Sequence, residues 1–259
     1  MRGPAGVMAL LLAEIVAGGI VFIFFTPLWN EVRPGFFKLT GSVILTLSIG
    51  DWASMSSSVL SGSHAGHLSL RLVEALSLMT LVWLILMFAG RLRVARFLGY
   101  LSAALSVALL GALSGTASGS RSFALFQLLV GAAFVGAVLD GLLLGHWYLT
   151  DRGLTRTPIN RASLILIVAT CVKALAVLMG GFQPTEGSAA FNPLMTSAGL
   201  APWVSLGMVA ATGMIAVMIK LTLKGSRASA VQAATGFFYL AVLTAFTAEL
   251  ATLVRFLPA

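Results

Sequence analysis

The stretch from Asp51 to Glu74, DWASMSSSVLSGSHAGHLSLRLVE, gathers the chain's most reactive residue types between long apolar runs. It holds two acids, Arg71 and two of the three histidines, His64 and His67. Three chemistries suit such a set. A bis-histidine haem needs two imidazoles at one depth on facing helices. His64 and His67 stand three residues apart and cannot flank one haem, and His146 lies far along the chain, so the sequence argues against haem. A metal site is the second chemistry: H-x-x-H with carboxylates suits zinc, manganese or non-haem iron. The third is a quinol site, in which a histidine donates and a carboxylate takes protons as the quinol is oxidised. The expected quinol set is Asp51, His64, His67, Glu74, Gln127 and Glu249. Arg71 and Glu74, three residues apart, also suit a simple ion pair on one helix face.

Three ionisable residues lie deep inside apolar runs, where each costs about 2.5–3.5 kcal/mol on insertion scales. At about 1.5 Å per residue, Glu14 and Lys173 fall at similar depth, roughly 14 Å from one membrane boundary. Equal depth and opposite charge predict a buried pair, which suits either a register-fixing bridge or a proton or ion relay. Asp140 has no local partner and is expected to face the helix bundle.

These residues are positioned by apolar helices. The chain is 59% hydrophobic and only 9% charged, where a soluble domain carries about 25% charged residues. The fold class expected is therefore all-α, a single polytopic membrane domain. Eight candidate spans are read at 5–29, 36–60, 68–90, 97–115, 122–149, 162–181, 201–219 and 230–256. The second is polar from Asp51 to Ser58. The longest linker runs from about Phe182 to Leu200. Eleven Lys and Arg residues lie in the linkers after the first, third, fifth and seventh spans, and four lie on the other side. By the positive-inside bias this predicts both termini outside, in a bacterial-type inner membrane. The basic residues form short clusters and no continuous face, which argues against nucleic acid as the partner of the +8 charge. Cys171 is the sole cysteine, so no internal disulfide or thiolate metal centre can form.

Basic linkers recur about every 60 residues, as a row of membrane hairpins would give. Gly18 precedes Trp29, and Gly136 precedes Trp147, by the same eleven residues, which suits an internal repeat. Small residues at 17–19, 111–115 and 131–137 allow close helix approach. Trp29, Trp147 and Tyr148 suit one interfacial aromatic belt and Trp203 the other.

This layout resembles the membrane anchor subunits of the polysulfide- and DMSO-reductase type. The likeness lies in Glu14 ahead of Ala17–Gly19 and in HAGHLSLR at 64–71. The resemblance implies eight helices, both termini outside, no haem and a quinol pocket near the outer face. It carries over no individual functional position. The function expected is a haem-free membrane subunit of an electron-transfer complex, lining a quinol site, with redox centres in partner subunits and lipid around it. The alternatives are a small ion-coupled carrier using Glu14, Lys173 and Asp140, and a purely structural subunit.

Overall fold

The computed structural model describes residues 3–58, 63–117, 120–151, 153–181, 200–225 and 229–254. Every regular element among them is helical. The helices are α1 Gly3–Phe25, the short α2 Leu28–Glu31, α3 Pro34–Ser58, α4 His64–Phe88 and α5 Leu92–Leu113. They continue with α6 Arg121–Thr150, α7 Thr157–Met179, α8 Leu200–Thr222 and α9 Ser229–Leu253. Seven of the eight long helices are apolar enough to cross a membrane. The eighth, α3, is 25 residues long but is diluted by Lys38, Asp51 and several serines. The linker from Phe182, with Pro184, Glu186 and Pro193, lies outside the described residues, as do Arg2, Arg152, Arg227 and Arg255.

Helix ends follow local chemistry. Ser63 caps α4, its Oγ accepting from the Gly66 N–H at 3.1 Å. His64 and His67 therefore begin a helix, whereas the expected spans 36–60 and 68–90 put them in the linker between. A capping serine satisfies an N–H that would otherwise be orphaned, so the helix starts at the polar residues. Gly90 has φ +75, and the Arg91 N–H reaches the Leu86 carbonyl at 2.9 Å. This left-handed glycine ends α4 and turns the chain into α5 within a few residues. Pro34 opens α3 and Pro158 lies in the first turn of α7, where a missing N–H costs nothing.

Two four-helix rings result. The first packs α1, α3, α4 and α5 in a closed cycle, and the second packs α6, α7, α8 and α9 likewise. They meet along α1 and α6, whose apolar stretches are 78% buried against 28% for α8. The α1–α6 crossing is parallel and close. A Cβ on Gly18 would lie 1.9 Å from the Ala132 carbonyl oxygen, and one on Gly136 would lie 2.5 Å from the Gly18 Cα. Only glycine lets two backbones approach so nearly.

The described basic linkers collect at one end of the bundle. Arg161 forms a two-pronged bridge to Glu31, at 2.8 and 3.0 Å. Arg33 pairs with Asp151 at 3.3 Å, and Arg156 donates to the Gly225 carbonyl. Lys220 donates to Asn160 Oδ1 at 3.2 Å. The same end carries an aromatic layer, with Trp29 stacked on Phe37 at 4.0 Å and Trp147 edge-on to Phe36. The Arg161–Glu31 bridge ties the second ring to the first. Arg161→Ala is expected to lower stability by about 1 kcal/mol, since the pair is partly exposed and bidentate. Thermal unfolding in detergent, compared at low and high salt, checks this.

Candidate functional site

A fully buried charged cluster lies where α1, α6, α7 and α9 converge. Lys173 of α7 donates to Glu249 Oε1 of α9 at 2.6 Å, and both side chains are fully buried. Glu14 of α1 is also fully buried and faces both of them. Space for it comes from α6: a Cβ on Gly131 would lie 2.3 Å from Glu14 Oε1. The sequence reading paired Glu14 with Lys173. In the structure the direct partner of Lys173 is Glu249, and Glu14 is the third member. Depth along each helix was readable; which helices are neighbours was not.

The cluster is short of donors. Two carboxylates face one ammonium, and an ionised carboxylate only accepts. Both Glu14 oxygens and Glu249 Oε2 have no hydrogen-bond partner. Glu14 and Glu249 can bond to each other only through a proton held by one of them. Gln127 lies one helical turn before Gly131, and its Nε2 donates to the Ala176 carbonyl at 2.6 Å, joining α6 to α7. Its Oε1 is a further buried acceptor without a donor.

The remaining members of the expected quinol set do not gather around this cluster. Asp51 is fully buried inside the first ring, with both oxygens unpartnered. Glu74 is half-buried, accepts from Trp52 Nε1 at 3.3 Å, and lies 3.9 Å from Arg71. His64 and His67 are exposed on the first turn of α4. No set of three His, Cys, Asp or Glu side chains among the described residues could hold a metal ion, so the H-x-x-H pair finds no carboxylate to complete a site there. His146 is exposed, with Nδ1 3.4 Å from the Tyr239 hydroxyl.

Asp140 sits in the half of α6 nearer the basic end. It is 6% exposed and its oxygens have no partner. It lines a small cavity of about 20 Å³ with Phe22, Thr26, Pro158, Arg161 and Ile165, room for about one water molecule. Phe22 and Ile165 also line an apolar groove of about 600 Å³ between α6 and α7, walled by Phe126, Leu129, Val168 and Val172. Sequence reading missed this groove, because its walls are ordinary apolar residues whose only distinction is that α1 contributes Phe22 at its edge.

No family model, curated protein or solved structure matches this chain.

Proposed function

We propose that this protein is an integral membrane proton carrier, a small ion-coupled transport protein that moves protons through the Glu14–Lys173–Glu249 cluster. The observation that carries this reading is the donor deficit at that cluster: two carboxyl groups and one ammonium, all fully buried. Intramembrane charges are costly and mark ion paths. A structural bridge needs one acid for one base, and the second acid adds a place for a mobile proton. Lys173 holds Glu249 in place while Glu14 exchanges a proton with it. On this reading α3 spans the membrane with the other seven long helices. The basic end faces the cytoplasm and both termini lie outside, in a bacterial-type inner membrane.

The test is proton movement into proteoliposomes under an imposed potential, followed with a trapped pH dye. Wild-type protein is expected to carry protons, and Glu14→Gln or Glu249→Gln to cut that flux to about half or less. Vesicles no leakier than protein-free liposomes would overturn the reading.

A second reading is favoured by the α6–α7 groove beside Asp140. An electron-transfer subunit would seat the isoprenoid tail of a quinol in such a groove, with a carboxyl group near its head. Partner subunits would then hold the redox centres. Co-purification with haem or iron–sulfur proteins would support it over the carrier.

A further inference from the structure

The two rings share many buried positions at constant offsets along the chain. In α3 and α7, one constant offset pairs Phe37 with Ile159, Ile44 with Leu166, Ser48 with Thr170 and Met55 with Val177, all buried in both helices. In α4 and α8 a second offset pairs Ser69 with Ser205, Val73 with Val209 and Leu76 with Thr212. In α5 and α9 a third pairs Ala95 with Ala234 and Leu109 with Ala248. Gly18 of α1 meets Gly136 of α6 at the centre, as equivalent positions must on a twofold axis between parallel helices.

Under this correspondence Asp51 occupies the position of Lys173, and Leu110 that of Glu249. The first ring therefore keeps an ionisable group at the station where the second ring holds its ion pair, and it lacks the counter-ion. Asp51 is fully buried, neither oxygen has a donor, and it takes part in none of the ion pairs among the described residues. The first ring also buries several hydroxyls. Ser48 and Ser106 are buried and donate to their own helices' carbonyls, Leu45 at 2.9 Å and Ala103 at 2.8 Å. Thr80 is buried with no partner for its hydroxyl. Each hydroxyl keeps lone pairs that can receive a proton and an O–H that can pass one on. In the second ring Ser48 is matched by the buried Thr170, whereas Thr80 and Ser106 fall opposite Ala216 and Ala245.

We infer that the first ring is a second proton path, parallel to the one through Lys173 and Glu249, with Asp51 as its proton-binding station. The cargo is a bare proton, because a metal ion would need several oxygen ligands converging on one point, and no such group of acidic residues exists among the described residues. A protonated Asp51 supplies its own donor, which removes the deficit without a counter-ion. This inference rests on the carrier reading for its biological meaning, but its site can be tested separately.

Infrared spectra of the purified full chain, recorded in water and then in deuterated water, provide the first arm. A carboxyl band lost in Asp51→Asn should shift within minutes of exchange, showing that the buried group communicates with solvent. A band that stays unshifted overnight overturns the path. The second arm is flux in proteoliposomes. Independent paths contribute additively, so Asp51→Asn is expected to retain about half the wild-type flux, and Asp51→Asn/Glu249→Gln almost none. Asp51→Glu, which keeps the carboxyl, should restore flux and so separates proton binding from packing. If wild-type protein carries protons and Asp51→Asn leaves that flux intact, the second path fails alone. If wild-type vesicles carry none while the Asp51 band exchanges, the carrier reading fails and the solvent-connected station stands.

Discussion

Lys173→Met is expected to destabilise the protein by about 3–5 kcal/mol, far more than removal of either acid beside it. Lys173 and Glu249 meet at 2.6 Å with no exposed surface. Taking the cation away leaves two buried carboxylates and no donor, and breaking a buried pair from one side carries that cost. The acids behave differently because they share one base. With Glu14→Gln, Lys173 keeps Glu249; with Glu249→Gln, it keeps Glu14 and gains an amide neighbour. Each of these losses should stay under about 2 kcal/mol. Replacing both partners, as in Lys173→Met/Glu249→Leu, should recover more than half of the single-mutant loss, since apolar packing substitutes well for a buried pair. Reversible unfolding in mixed micelles, followed by circular dichroism, measures all four. Equal losses for Lys173→Met and Glu14→Gln would show that Glu14 does not share the lysine.

Gly18→Ala should be the most damaging glycine substitution in the chain, at about 3 kcal/mol or more. Its new Cβ would sit 1.9 Å from the Ala132 carbonyl oxygen and 2.8 Å from the Gly136 Cα. Both obstacles are backbone, so α1 and α6 must separate, and that opens the central interface of the two rings. Gly99→Ala is a useful contrast. Its Cβ would meet the Phe24 ring at 1.8 Å, a contact with a side chain rather than with backbone, so a smaller loss is expected. Gly207→Ala has nothing within 4 Å and should be neutral or slightly stabilising, because alanine is the better helix former. Thermal unfolding of the three variants in one detergent tests the order. A Gly18→Ala protein as stable as Gly207→Ala would mean that the rings do not meet as described.

The buried charged cluster and the packing share one cause. Small residues on α1 and α6 bring the rings together, and the same closeness seats Glu14 of the first ring against the ion pair of the second. Gly131 supplies the space for its carboxyl group. Gly131→Ala would therefore disturb the cluster without altering any ionisable residue.

Much of the architecture was legible in the chain itself. Each of the eight apolar runs became a long helix, because a run of about 20 apolar residues can bury its backbone polar groups only by internal hydrogen bonding. Arg71 and Glu74 pair at 3.9 Å, as their three-residue spacing requires. The matched Gly18–Trp29 and Gly136–Trp147 intervals begin on α1 and α6, the two helices that head the rings, though Trp29 itself lies on the short α2. By contrast, α2 was not separable from the first run, and Ser63 as a cap for α4 was overlooked, because both depend on where a helix stops rather than on how apolar it is.

The sequence by itself determined the helices and the place of each buried charge along its helix, since helical rise is constant. Only the tertiary structure decided which charges meet. Depth is one coordinate; the other two depend on the order in which helices close into rings, and apolar faces of similar composition do not encode that order locally. Thus Glu249, expected beside Asp51, His64 and His67, stands against Lys173 and Glu14 because α9 closes the second ring. Asp51 stays in the first ring, fully buried and without a hydrogen-bond partner among the described residues.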